Sequence, residues 1–124
     1  MFIVISPLNP DPMYKQVTDQ IKDAIADGTL LPEDKLPSIR EMARELKISE
    51  ITIKRAYADL ENEDFILTRS GLGSFVADIN KDKLRREKLK EIRSEVSKIL
   101  RSSAKFDISA QDIINLLQEL GEKS

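Results

Sequence analysis

At 124 residues, with 40% apolar and 34% charged side chains and a net charge of −2, the chain has room for one modest domain plus an appendage. It contains neither histidine nor cysteine, which removes the usual neutral-pH general base, the commonest metal ligand, thiolate chemistry and disulfides together. No apolar run approaches the roughly 20 residues of a membrane span, and Phe2-Ile3-Val4-Ile5 lacks a signal peptide's basic start and cleavage pattern, so a cytoplasmic protein without a membrane partner is expected.

Asn9-Pro10-Asp11-Pro12 stops any strand or helix from crossing it, and Asp11 is a suitable N-cap with Pro12 at the first helical position. Val17, Ile21, Ala24 and Ile25 then recur at helical spacing until Gly28, which predicts a first helix over about Pro12 to Asp27. Leu31 to Pro37 reads as a turn-rich connector. Ser38 and Glu41 form an S-x-x-E capping box, opening a short helix whose apolar face is Ile39, Met42, Ala43 and Leu46. Ser49 caps a third helix with Ile53, Ala56, Tyr57 and Leu60 on one face. Two short helices joined by about three residues, each with its own cap, read as a helix-turn-helix.

After Asn62 the period changes to two. Phe65 to Arg69 and Ser74 to Ala77 flank Ser70-Gly71-Leu72-Gly73, the pattern of a β-hairpin with a glycine-bearing turn. A helix-turn-helix followed by a hairpin is a winged helix, and Phe2 to Ile5 is the candidate for a further wing strand. Beyond it, Leu89, Ile92, Val96 and Ile99 form a heptad-like stripe on a charged helix from about Lys81 to Ser102. Ser103 to Asp107 breaks that helix. Ser109 caps a last one carrying Ile113, Ile114, Leu116, Leu117 and Leu120, with Gly121 as its stop. The expected fold class is therefore mostly α with a small β-hairpin wing: a winged helix-turn-helix over residues 1–77 and a two-helix dimerisation tail over 78–124.

The segment Lys35-Leu36-Pro37-Ser38-Ile39-Arg40-Glu41-Met42-Ala43, then Leu46, Ile48-Ser49, Thr52-Ile53, Ala56-Tyr57, Leu60-Glu61 and Gly71-Leu72-Gly73-Ser74-Phe75-Val76, resembles the GntR family of bacterial repressors over about forty residues. Pro12-Met13-Tyr14-Lys15-Gln16-Val17 also looks like the family's entry into its first helix. Most branches carry a large effector-binding or aminotransferase-like domain after the wing, whereas 48 residues follow Val76 here, which is similar to the YtrA branch with its short dimerising tail. The resemblance implies a homodimer that represses by binding a pseudo-palindromic double-stranded operator, with a nearby transporter operon among its targets. By the same resemblance, Arg40, Thr52 and Lys54 match DNA-contact positions and Gly71 sits at a wing tip that reaches the minor groove.

The residues themselves support DNA binding. From Lys35 to Asp59 six basic side chains face four acidic ones, a local net of +2, while the first helix is locally acidic. Lys35 and Ser38 are candidate phosphate contacts, and at least one of Lys54 and Arg55 is expected on DNA. Glu50 departs from the basic or neutral polar residue usual in the family; it either accepts from cytosine N4 or faces solvent. Simpler readings stand beside these: Ser38 as a cap, Lys54-Arg55 as a solvated face, Gly71 and Gly73 as turn residues. Tyr57 and Phe75 are assigned to the core. Residues 81–101 carry nine basic and four acidic side chains, read as an exposed face with ion pairs of Glu87 and Glu91 to Lys90 and Arg86. The apolar stripe of this helix packs either back on its own winged helix or on a partner chain; the second reading is favoured and makes Leu89, Ile92, Val96, Ile99, Ile113 and Leu117 the expected dimerisation residues.

No catalytic residue, metal ligand or cofactor is expected. A winged-helix protein–protein module and a small carboxylate enzyme are the alternatives from other classes. Regulation by an unnamed small-molecule effector and regulation by protein level alone both stay open.

Overall fold

The computed structural model describes residues 3–122. Chain order is α1 (Met13–Ala26), α2 (Ile39–Leu46), α3 (Glu50–Asn62), β1 (Ile66–Arg69), β2 (Gly73–Val76), α4 (Lys81–Ala104) and α5 (Ala110–Glu122). The chain divides into two compact units, Met1–Lys81 and Asp82–Ser124.

The first unit closes around α1, α2, α3 and the hairpin. Val17, Ile21, Leu36, Met42, Ile53, Leu60 and Val76 are fully buried and supply its core. α1 begins at Met13, with Pro12 rather than Asp11 in the cap position and no side-chain cap. The Asp11 carboxylate instead lies 3.6 Å from the Lys15 ammonium. Gly28 takes the left-handed backbone (φ 84°) that ends the helix.

The wing differs from expectation in its third strand. Glu33 N–H donates to the Val76 carbonyl at 2.8 Å, Val76 N–H to Asp34 at 2.8 Å, and Leu36 N–H to Ser74 at 2.9 Å. The connector before α2 is thus the strand that pairs with β2, through a bridge between Lys35 and Phe75. Phe2 lies outside the described residues, and Ile3 to Ile5 form no strand. Two glutamines of α1 satisfy that segment instead. Gln20 brackets Val4, accepting from its N–H at 3.0 Å and donating to its carbonyl at 2.8 Å. Buried Gln16 accepts from Ser6 N–H at 2.9 Å and donates to the Asp11 carbonyl at 3.0 Å. With its backbone paired to side-chain amides, the segment has no need of a sheet edge.

Within the hairpin Ile66 faces Val76, Leu67 faces Phe75, Thr68 faces Ser74 and Arg69 faces Gly73. Phe75 is only half-buried and carries the Arg69 guanidinium 4.8 Å from its ring centroid, so it is a wing platform rather than a core residue. Tyr57 is in the core, as its helical register requires.

The second unit is two helices with no buried side chain. α4 runs two residues further than the apolar stripe suggests, through Ala104, and left-handed Asp107 (φ 58°) turns the chain. Ser109 and Asp112 then form a reciprocal cap on α5, with Asp112 N–H to Ser109 Oγ at 3.1 Å and Ser109 N–H to the Asp112 carboxylate at 2.8 Å. Gly121 does not stop α5, which continues to Glu122. Glycine permits a left-handed stop without imposing one. On α4, Glu87 meets Lys90 as expected, at 3.7 Å, but Glu91 pairs with Lys88, at 3.6 Å, rather than with Arg86.

Candidate nucleic-acid interface

Both helices of the helix-turn-helix start at fixed points. Ser38 Oγ accepts from Glu41 N–H at 3.1 Å while Glu41 accepts from Ser38 N–H at 3.4 Å, closing the capping box on α2. α2 ends where Lys47 adopts left-handed geometry (φ 58°, ψ 43°) and Ile48 N–H returns to the Ala43 carbonyl at 3.1 Å. Two residues later Ser49 Oγ accepts from Thr52 N–H at 3.1 Å and shares a second hydrogen bond with Thr52 Oγ1 at 2.7 Å. The turn between the helices is therefore defined by one left-handed residue and one cap.

A buried tyrosine anchors α3 to the segment ahead of α2. The Tyr57 hydroxyl donates to the Pro37 carbonyl at 2.7 Å. Burial pushes this phenol well above its ordinary range, and the carboxylates of Glu41 and Glu45 push it further the same way. Tyr57 therefore stays protonated and donating at any neutral or mildly basic pH.

With Ile53, Ala56, Tyr57 and Leu60 turned inward, helical periodicity sends the rest of α3 outward. Glu50, Lys54 and Arg55 are exposed and Thr52 is half-buried. Arg55 lies over the Tyr14 ring of α1 at 3.7 Å, which orients its guanidinium without neutralising it. Glu50 stands in the first turn, where its carboxylate also favours the helix dipole. Arg40 is exposed at the second position of α2.

The wing supplies a second exposed group. Gly71 has φ 75° and open space around the position a Cβ would occupy. Gly73 has φ 115°, a backbone conformation that disfavours any side chain, and the Lys35 side chain lies beside it, its Cε 3.0 Å from where a Cβ would stand. Lys35 is thereby brought against the wing rather than left on a loop. Arg69, on β1, is held between the Phe75 ring and the Glu33 carboxylate at 2.7 Å.

Two side chains of this surface were not marked by sequence reasoning. Tyr14 is found only through its stack on Arg55, forty-one positions away. Ile51, on α3 beside Glu50, is 81% exposed. Its signal was in the sequence, as an apolar residue out of phase with the buried face of its helix.

The residues assigned to dimerisation lie in the second unit. Leu89, Ile92, Ile99 and Leu117 are 46, 41, 48 and 57% exposed, and Val96 and Ile113 are half-buried. Among the described residues no group of histidine, cysteine or carboxylates is arranged to hold a metal ion, and no helix is long and apolar enough to cross a membrane.

Comparison with known proteins places this geometry. A model of the bacterial regulatory proteins of the gntR family matches residues 13–76, more than half of the chain and the whole span from α1 to β2. The transcriptional repressor YtrA of Bacillus subtilis is 33% identical over 98 residues, which cover 79% of this chain and 75% of that one. A GntR family transcriptional regulator from Listeria monocytogenes superposes with a TM-score of 0.72 at 30% identity, covering 90% of this chain and 96% of that one. The DNA-binding domain of AraR, solved in complex with an operator, superposes with a TM-score of 0.53 at 33% identity, covering 59% of this chain and 90% of that one.

Proposed function

This chain belongs to the gntR family of bacterial regulatory proteins, with YtrA-like relatives, and is a DNA-binding regulator of transcription rather than an enzyme; from that premise we propose that it acts as a homodimeric repressor in the cytoplasm. Two copies place α3 in successive major grooves of a pseudo-palindromic operator, about one helical turn apart. Lys35, Ser38 and Arg55 hold phosphates, Arg40, Thr52 and Lys54 reach base edges or the adjoining backbone, and Glu50 accepts from a cytosine amine. Gly71 lets the wing tip approach the flanking minor groove. Dimerisation uses the stripe Leu89, Ile92, Val96 and Ile99 with Ile113 and Leu117. The controlled genes include a nearby transporter operon and the regulator's own gene.

The observation that carries this reading is the outward face of the first turns of α3: Glu50, Lys54 and Arg55 stand exposed there, the helix starts at a capped and anchored turn, and the side chains behind it are buried. The operator complex of AraR supports it as the behaviour of a similar domain.

Fluorescence anisotropy on the DNA upstream of the regulator's own gene, against a scrambled duplex at two salt concentrations, tests it. Specific binding is expected to exceed non-specific binding by about 10³-fold or more. Arg40→Ala and Lys54→Ala should each weaken it by roughly tenfold or more, as loss of a base contact does. Equal, salt-sensitive binding to both duplexes would place the operator elsewhere, and no binding by the folded dimer would leave a protein-interaction module as the better description.

A further inference from the structure

Ile51 has no structural task in its own chain. A single exposed apolar residue is ordinary on a protein surface and means nothing by itself. The place of this one is what matters. It is the second residue of α3, 81% exposed, while its β-branched neighbour two positions on, Ile53, is completely buried. The helical repeat puts Ile51 on the same face as Lys54 and Arg55, one turn ahead of them, and beside Glu50. A β-branched residue in an exposed first turn lowers helix propensity slightly and gains no burial in return.

We propose that Ile51 is a base-reading residue that packs against the 5-methyl group of a thymine in each operator half-site. This inference rests on the DNA-binding reading of α3 given above. The neighbouring side chains on this face are charged or hydrogen-bonding and can read donors and acceptors, and apart from the methyl of half-buried Thr52 none can sense a methyl group. In the major groove the thymine methyl is the one apolar feature that separates a T·A pair from the other pairs, and an aliphatic side chain is its natural complement. The contact removes two apolar surfaces from water together, so it adds affinity and discriminates against cytosine at once. Thr52 is half-buried whereas Ile51 is 81% exposed, so the apolar contact falls to Ile51 rather than to the threonine methyl next to it.

The test uses full-length protein and an operator recovered by selection from a pool of randomised duplexes. Each thymidine of the half-site is replaced in turn, in both half-sites, by deoxyuridine, which lacks only the 5-methyl group. One position should weaken wild-type binding by about tenfold, the weight of two buried methyl groups. Ile51→Ala should bind the unmodified operator about as weakly and be indifferent to uracil at that position. Its thermal unfolding should match wild type, because the side chain is exposed. If no uracil weakens wild type, or if Ile51→Ala loses as much from the same uracil as wild type does, the assignment is overturned. Failure of the operator reading is distinguishable, because then selection recovers no preferred duplex even before any uracil is introduced.

Discussion

The winged-helix unit and the helical tail carry apolar stripes of similar quality but use them oppositely. In α1 and α3 the stripe residues, apart from half-buried Ile25, are buried within their own unit, and no buried polar side-chain atom is left without a partner among the described residues. In α4 and α5 none is buried, and the stripe stays largely open. Periodicity therefore identifies a face that seeks apolar contact without saying where the contact is found. The winged helix meets that requirement inside one copy, and the tail presents the same chemistry unmet.

Matched truncations should expose the difference most strongly. Leu60→Ala, at a fully buried position, is expected to cost about 2–5 kcal/mol in urea denaturation. Leu117→Ala, measured at protein concentrations that dissociate the dimer, should change stability by no more than about 0.5 kcal/mol. Equal costs would break the contrast.

The next effect sharpens it. If the proposed dimer uses this stripe, Ile92→Asp combined with Ile99→Asp should raise its dissociation constant by about 100-fold in sedimentation equilibrium, since each copy loses two apolar contacts and gains two charges. The far-ultraviolet spectrum of the winged helix should be unaffected. An unchanged dissociation constant would remove the tail stripe from the interface.

The smallest effect lies at the caps. The Asp112 carboxyl is held below its ordinary 3.8 by hydrogen bonds from the Ser109 backbone and then its hydroxyl. A lowered folded-state value means that its contribution is present above 3.8 and is lost as pH falls through the lower folded value. Circular dichroism titrated downward from pH 5 should show a slight loss of helix in wild type that Asp112→Asn lacks, and identical curves would assign the cap no role in α5.

Features whose cause is local were legible in the sequence. The box at Ser38 and the caps at Ser49 and Ser109 depend on residues three apart, and all three form. The hairpin turn followed from its glycines. The third wing strand was not legible, because Glu33 to Leu36 sit between two prolines with a single inward apolar residue, and their strand character comes from pairing with β2. Ile3 to Ile5 misled for the converse reason: their composition suits a strand, but the Gln20 amide claims the backbone of Val4 and the Gln16 amide that of Ser6 just beyond. In the candidate interface, Arg40, Lys54 and Glu50 could be named from pattern and resemblance. Tyr14 could not, since its stack on Arg55 joins two helices, and Ile51 was passed over as one more apolar residue in a helix rich in them.

The hydroxyl pair at the start of α3 has a consequence for how much information the operator must carry. Ser49 and Thr52 share one hydrogen bond in which either oxygen can be the donor. When Ser49 donates, the Thr52 proton is released to point at an acceptor on the DNA; when Thr52 donates, only its lone pairs remain to meet a donor. Turning two rotors exchanges the states without moving the helix. Under the proposed contact of Thr52 with DNA, the base opposite it is a position where substitution is cheap, and operators for one regulator can diverge there while keeping their affinity.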